Sequence, residues 1–395
     1  MMTLFNTTDF KKTPLFLAMM IIATGQVGVS IYLPSLPLIS HDLGVSSADV
    51  QLLVTLFLVG FGVSQLFYGP VSDAIGRRPI FILGQGIYLL GTLLCVSMTD
   101  NFTALVLGRL LQGLGAGSAS VLGRSVLRDS YSGYHLTKAM SYISITASIL
   151  PILAPVIGGW IAWHFSWEWV FGFVLLYLIG ILTLGYFILP ETLPYKPKKF
   201  SLAQTLRDYG ALFRNAQVIS SASFNWISYL ASLVSVSLLP FLLQGDLGLT
   251  TAEYGEIMII PSAGLMMGSF ILNSLNKKWS INQLICLALV IMSISGIWLV
   301  VFTTSLFSLI FGFTLLAVSQ GIIFPLSITL LLSPHTKNVG TISALSGSIQ
   351  MCLSGILGGY LVKHWVVDQN SLGVFYLLIA SMMLCVLFWN RKVRL

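Results

Sequence analysis

Long, unbroken apolar runs separated by short polar links recur along almost the whole chain, and they leave few folds available. Twelve runs can be drawn, at roughly 14–38, 50–70, 80–98, 103–126, 138–160, 168–189, 217–242, 254–273, 282–302, 305–331, 340–362 and 371–389. Each approaches the about 20 residues an α-helix needs to cross a bilayer core. In hydrocarbon every backbone N–H and C=O must be satisfied internally, so only helices or a closed barrel can span it. The runs are continuous rather than alternating, which selects helices over a barrel. The expected fold is an all-α membrane protein with twelve transmembrane helices. Composition agrees: charged residues make up 8% of the chain and apolar residues 56%, against about 25% charged in soluble domains. The twelve runs use most of the 395 residues and leave no room for a soluble domain.

The net charge of +7 raises the possibility of nucleic acid, but the placement of the charges argues against it. With twelve spans and an internal N-terminus, the inner segments hold Lys11, Lys12, Arg77, Arg78, Arg128, Lys138, Lys196, Lys198, Lys199, Arg207, Arg214, Lys277, Lys278, Lys337, Arg391, Lys392 and Arg394. The outer loops hold almost none, Lys363 being the main exception. This is the positive-inside distribution, and it places both termini in the cytoplasm. Cys95, Cys286, Cys352 and Cys385 lie singly inside apolar runs and read as small buried hydrophobes. No metal-ligand spacing is present, and no cofactor is expected. Lys11 and Lys12 precede the first run as in a signal peptide, but the run is too long and lacks a small-residue cleavage site, so it reads as a retained helix.

The longest polar interruption runs from Pro190-Glu191-Thr192-Leu193-Pro194 to about Asn215 and divides the runs six and six. It defines an N-terminal bundle (1–190), a linker (191–216) with a surface helix near 202–213, and a C-terminal bundle (217–395). The halves echo each other. Ala154-Pro155-Val156-Ile157-Gly158-Gly159-Trp160 in run five matches Ser354-Gly355-Ile356-Leu357-Gly358-Gly359-Tyr360 in run eleven, with His164 and His364 at equivalent distances beyond. Gln112-Gly113 in run four is mirrored by Gln320-Gly321 in run ten. Parallel six-helix repeats place a substrate site between the halves near the midplane.

Between runs two and three lies Gly69-Pro70-Val71-Ser72-Asp73-Ala74-Ile75-Gly76-Arg77-Arg78-Pro79. Gly69 and Gly76 permit a tight helix-to-helix turn, and Asp73, Arg77 and Arg78 cluster charge at the inner face. The basic residues also serve as a topology anchor. Spacing and flanking spans together resemble the signature loop of major facilitator superfamily transporters. The resemblance implies that the bundles are pseudo-symmetric and that Asp73 acts as a conformational latch. It would contact the other half in one state and release in another, with Arg128 and the start of run eleven near Gly340 and Thr341 as partners.

Arg109 stands inside run four, where an unpaired arginine costs about 2.5–3.5 kcal/mol; snorkelling to the outer interface is the alternative reading. Arg109 with Gln112-Gly113 resembles the fourth-helix motif of proton-linked members, which implies a coupling role. Pro151, Pro155, Gly158 and Gly159 in run five suit close packing of a kinked helix and resemble the fifth-helix motif of drug:proton antiporters. Ile31-Tyr32-Leu33-Pro34, Ser64-Gln65-Leu66-Phe67-Tyr68-Gly69-Pro70 and Pro190-Glu191-Thr192-Leu193 resemble the Bcr/CflA group of drug exporters over essentially the whole chain. One departure stands out: Ser30 occupies a position where many relatives carry an acid, and runs one and seven contain no Asp, Glu or His. Asp49, Glu168, Glu253 and Glu256 lie in the first turns of outer helix ends, where acids complement the helix dipole. Glu256, the deepest, is the candidate proton carrier. Coupling through Asp73 and Arg109, or no proton coupling, are the other routes left open.

Candidate cavity residues are Gln26, Ser30 and Tyr32 of run one, Phe224, Asn225, Ser228 and Tyr229 of run seven, Gln320 and Phe324 of run ten, and Ser346 and Gln350 of run eleven. So few charges suit neutral or amphipathic substrates. The expected function is export of small lipophilic compounds across a bacterial inner membrane by alternating access, as a monomer in exchange for protons. A dedicated exporter of one metabolite, such as a siderophore, and an uncoupled facilitator are the alternatives. His41, His135, His164, His335 and His364 are scattered over both sides without paired carboxylates, which argues against a membrane enzyme.

Overall fold

The computed structural model describes residues 12–193, 200–334 and 339–394; Lys11, Pro194, Lys196, Lys198, Lys199, His335 and Lys337 lie outside the described residues. Among those described, twelve helices are long and apolar enough to cross a membrane. They are span one (Lys12–Asp42), two (Ser47–Ile75), three (Arg77–Ser97), four (Phe102–Ser130), five (Gly133–His164), six (Glu168–Ile188), seven (Ala216–Asp246), eight (Thr251–Leu275), nine (Ile281–Val301), ten (Leu306–Leu332), eleven (Gly340–His364) and twelve (Gln369–Lys392). Several overrun the apolar runs because the helix continues into polar sequence at its ends, as span four does through Arg128 and Asp129. The linker carries a helix at Leu202–Phe213.

Side chains punctuate the helix starts. Thr250 and Glu253 form a reciprocal capping box at span eight, and Ser280 with Gln283 does the same at span nine. Asn101 accepts from the Ala104 N–H at span four, and Asn215 from Gln217 and Val218 at span seven. Spans two and three meet at Gly76, whose φ of 118° favours glycine.

The spans form two six-helix bundles. In the first, span four packs against spans one, two and three; in the second, span ten packs against spans seven, eight and nine. Lipid tails are as apolar as leucine, so close van der Waals packing carries helix association here. Small residues supply it: Gly113 lies against the Phe57 carbonyl, and Gly268 and Gly321 face each other across spans eight and ten. Span five crosses to span eight and span two to span eleven, joining the bundles along two seams. One end of the molecule bears Arg77, Arg78, Arg128, Lys138, Arg207, Arg214, Lys277, Lys278 and Arg391, and is called here the basic end. The other bears Asp42, Asp49, Asp100, Glu168, Asp246, Glu253 and Asp368, the acidic end.

Candidate functional site

At the acidic end the two bundles are tied together. A side chain on Gly159 would collide with the Thr251 carbonyl and one on Gly255 with the Pro155 carbonyl, both across the bundles, while one on Gly158 would collide with the Ile31 carbonyl within the first bundle. The expected fifth-helix motif thus lies in a contact that only glycine admits; Pro155 is buried there, and Pro151, a turn earlier, is exposed. Bonds between the halves reinforce the closure. Gln51 Nε2 donates to the Ser237 carbonyl (3.1 Å), Gln244 Nε2 to Pro34 (2.9 Å) and Thr55 Oγ1 to Gly355 (3.0 Å). Lys363 Nζ lies 2.9 Å from Asp49 Oδ1, with both side chains over two-fifths exposed. The internal repeat is visible in space. Gly359 of span eleven abuts Thr55 of span two as Gly159 of span five abuts Thr251 of span eight. Trp160 and His164 have ring centroids 4.5 Å apart, and Tyr360 and His364 4.8 Å.

At the basic end the charges bond within the first bundle. Arg77 is 1% exposed and reaches Asp73 Oδ1 (2.6 Å), Asp129 Oδ2 (2.9 Å) and Ser72 Oγ (2.6 Å). Glu191 accepts from the backbone N–H groups of Arg77 (2.9 Å) and Arg78 (3.2 Å), capping span three with a carboxylate from beyond span six. Arg78 Nη2 donates to the Tyr186 carbonyl at 2.8 Å. Gly69 packs loosely beside Val121, and a Cβ on Gly76 would strike the Glu191 carboxylate. Asp73 is half-exposed, with Arg77 as its ion-pair partner. Arg128 is exposed, and its Nη1 lies 3.7 Å from where a Cβ on Gly340 would stand. Tyr209 of the linker helix donates to the Leu66 carbonyl (2.9 Å). Burial pushes its pKa up to about 12. Sequence reasoning missed Asp129 and the capping role of Glu191; adjacency to Arg128 and the Pro-Glu-Thr-Leu segment were the available signals.

Arg109 is 2% exposed and turned inward rather than snorkelling. Its Nη2 donates to the Gly28 carbonyl (3.0 Å), Nε to Leu53 (3.2 Å) and Nη1 to Gln112 Oε1 (2.6 Å). Gln112 Nε2 passes the chain on to Thr92 Oγ1 (2.9 Å). The guanidinium carbon sits 3.8 Å from the Tyr32 ring centroid and 4.1 Å from that of Phe57. Among the described residues these partners are all uncharged, and they join spans one, two, three and four. Glu256 stands elsewhere, exposed on span eight in a groove of about 190 Å³ beside Val156, Ile157, Trp160 and Ala252. Asp49 and Glu253 are held by Lys363 and Ser46 and by the capping box respectively, while Glu168 Oε2 is buried without a partner.

The remaining cavity candidates divide. Gln26 is half-buried and lines an interior niche of about 30 Å³ with Ile22, Gly25, Phe61, Ser120, Arg124, Ile143 and Ala147. Asn225 donates to Gln350, joining spans seven and eleven, and Tyr229 and Phe324 are half-buried. Ser30 and Tyr32 are buried in the first bundle, and Phe224, at 0% exposure, lies in the apolar core of the second. Gln320 is 2% exposed and donates to the Ser228 carbonyl (2.9 Å); Ser346 receives Trp226 Nε1. These buried groups position helices in this conformation rather than face a cavity. Arg124, which the sequence did not single out, is the unexpected member of the niche.

Two six-helix bundles joined along two seams are the architecture of a membrane transporter. The chain belongs to the Major Facilitator Superfamily, whose family model matches residues 15–359. It is 31% identical over 387 residues to multidrug resistance protein D of Escherichia coli (strain K12), covering 95% of this chain and 94% of that one. It is 29% identical over 358 residues to multidrug resistance protein MdtL of Shigella dysenteriae serotype 1 (strain Sd197), covering 91% and 89%. Among solved structures it resembles the nucleoside transporter NupG, with a TM-score of 0.74 at 13% identity over 98% of this chain and all of that one. A bacterial homologue of the human lysosomal transporter Spinster, inward-facing and unoccupied, gives 0.70 at 14% identity over 98% and 96%. The chain is a multi-pass membrane protein.

Proposed function

We propose that this protein exports small lipophilic and amphipathic compounds of several kinds across a bacterial inner membrane by alternating access. The carrying observation is a pair of six-helix bundles in close contact at the acidic end through Gly159 and Gly255, in a chain 31% identical to a multidrug resistance protein. On this reading residues 1–190 and 217–395 are the moving bodies and 191–216 the linker. The basic end and both termini face the cytoplasm, in keeping with the charge segregation. The protein works as a monomer without a cofactor and is a transporter rather than an enzyme.

Asp73 is the latch: paired with Arg77 while the acidic end is closed, it engages the second bundle near Gly340 when the acidic end opens. Export runs in exchange for protons, each charge drawing about 2.3 kcal/mol per 100 mV. Arg109 holds the first bundle in one shape and Asp73 and Glu256 are its candidate titrating groups. The uncharged surroundings of Arg109 favour an uncoupled facilitator as the second reading.

Growth of an efflux-deficient host against a varied compound panel, with and without the protein, tests breadth; protection against a single compound would favour a dedicated exporter of one metabolite, such as a siderophore. Efflux from proteoliposomes should collapse with the pH gradient. Unchanged downhill efflux without the gradient, stopping at equal concentrations, would replace the antiporter with the facilitator.

A further inference from the structure

The arginines of the first bundle meet very different environments. Arg77 is neutralised by carboxylates, Arg109 is satisfied by carbonyls, Gln112 and two rings, and Arg128 stands at the end of its helix. Arg124 stands apart. It lies inside span four, six residues before Ser130, and among the described residues it has no ion-pair or hydrogen-bond partner. A guanidinium held within a span costs about 2.5–3.5 kcal/mol unless it is paired or hydrated. Snorkelling past lipid does not describe it, because it is accessible yet ringed by spans one, two, four and five. It faces the niche of about 30 Å³ with Gln26, Ser120, Phe61, Ile143 and Ala147.

The chemistry of that niche is one-sided. Arg124 offers a fork of N–H donors, Ser120 a hydroxyl one helical turn before it, and Gln26 an amide, while Phe61, Ile143 and Ala147 are apolar. Among the described residues no carboxylate lines it. The volume admits the head of a ligand rather than a whole one, so the lipophilic body would extend out of the niche.

We infer that Arg124, with Ser120 and Gln26, forms an anion-receiving subsite that selects lipophilic compounds bearing a carboxylate, sulfonate or phosphate head group. This deepens the export reading, on which its role in substrate choice rests, and it narrows the neutral preference suggested by the paucity of charge. A guanidinium suits such heads by forking two donors to two oxygens.

The test measures binding and transport separately, on purified full-length protein in nanodiscs and in proteoliposomes. Naphthalene-2-sulfonate and naphthyl-2-trimethylammonium are the matched probes. Wild-type protein should bind the sulfonate at least tenfold more tightly than the ammonium probe. Arg124→Gln should lose that preference, Arg124→Lys should keep part of it, and Arg124→Glu should invert it. Monodisperse elution and retained binding of a neutral naphthalene probe show that each variant is folded. Equal sulfonate affinity in wild type and Arg124→Gln overturns the subsite, as does failure of wild type to bind the sulfonate. Selective sulfonate binding without efflux of any probe keeps the subsite and defeats the export reading instead. Repeating the titration with phosphatidylglycerol in the nanodisc distinguishes the sources: competition assigns the head group to a membrane lipid, and its absence to a free compound.

Discussion

The bundles meet along two seams related by the internal repeat, and the seams are not alike. Between spans two and eleven, tight approaches run along the helices, from Gly359 on Thr55 through Gly355 on Leu58 and Gly62 on Cys352 to Gly347 on Gln65. Between spans five and eight they cluster at the acidic end, from Pro155 to Gly159. Farther along span five, Tyr142, Ile145 and Ile149 are exposed. The first seam also carries polar ties, Thr55 to Gly355 and Asp49 to Lys363. The second is closed by backbone surfaces that touch only because glycine intervenes. One seam therefore resembles a hinge line and the other a clasp, and the clasp borders the groove that holds Glu256.

Filling the clasp should have the largest effect. Leucine at Gly159 has no room against the Thr251 carbonyl, a backbone atom that cannot rotate away. Overpacking of this kind costs about 1–3 kcal/mol or more where the bundles must meet. Gly159→Leu should cut efflux more than tenfold while insertion persists. A cysteine placed at Gln26, in a background without the native cysteines, should become more reactive to a membrane-impermeant maleimide from the acidic side. Gly359→Leu in the other seam should do less, because it meets the Thr55 hydroxyl, which can turn aside. Equal effects would erase the distinction between hinge and clasp.

Next in size is Arg77. Removing it leaves Asp129, 6% exposed, without its counter-charge, a change worth about 3–5 kcal/mol when a buried pair is broken. Arg77→Ala should lower the thermal midpoint of the purified protein and reduce its yield, with Arg77→Lys intermediate. Asp73→Asn separates folding from mechanism: its half-exposed pair contributes at most about 1 kcal/mol, so stability should hold while efflux falls. Normal efflux from Asp73→Asn would reduce the loop to a topology anchor.

Legibility in the sequence followed the physics of each feature. The span count and the Gly76 turn were readable because bilayer thickness and turn geometry act on contiguous residues. The Gly158-Gly159 contact was readable as close packing, but its partners on spans one and eight lie far along the chain. Arg109 was readable as costly, yet its satisfaction by the Gly28 and Leu53 carbonyls depends on how three helices cross. Phe224 and Gln320 were placed on a cavity face from spacing alone, which cannot distinguish a face toward the other bundle from one toward the bundle's own core. Arg124 passed unnoticed because basic residues near an inner helix end serve topology, and only packing shows that this one, though exposed, borders a niche between spans one, two, four and five.

The smallest expected effect belongs to the hinge seam's ion pair. Lys363 and Asp49 are 2.9 Å apart but largely exposed, so the attraction is screened and contributes about 0–1 kcal/mol. Breaking it with Lys363→Met should shift the balance toward opening at the acidic end by no more than about fivefold. Probe reactivity of the cysteine at Gln26 should rise modestly, and efflux should stay near normal. Exchanging the charges, with Asp49→Lys and Lys363→Asp together, should restore the wild-type reactivity that either change alone disturbs. High salt should mimic Lys363→Met in the wild type and leave the effect of Gly159→Leu in place, because that substitution acts on a backbone contact rather than an ion pair. A large loss of efflux from Lys363→Met would mean that the hinge seam gates the pathway, and the asymmetry between the seams would then run the other way.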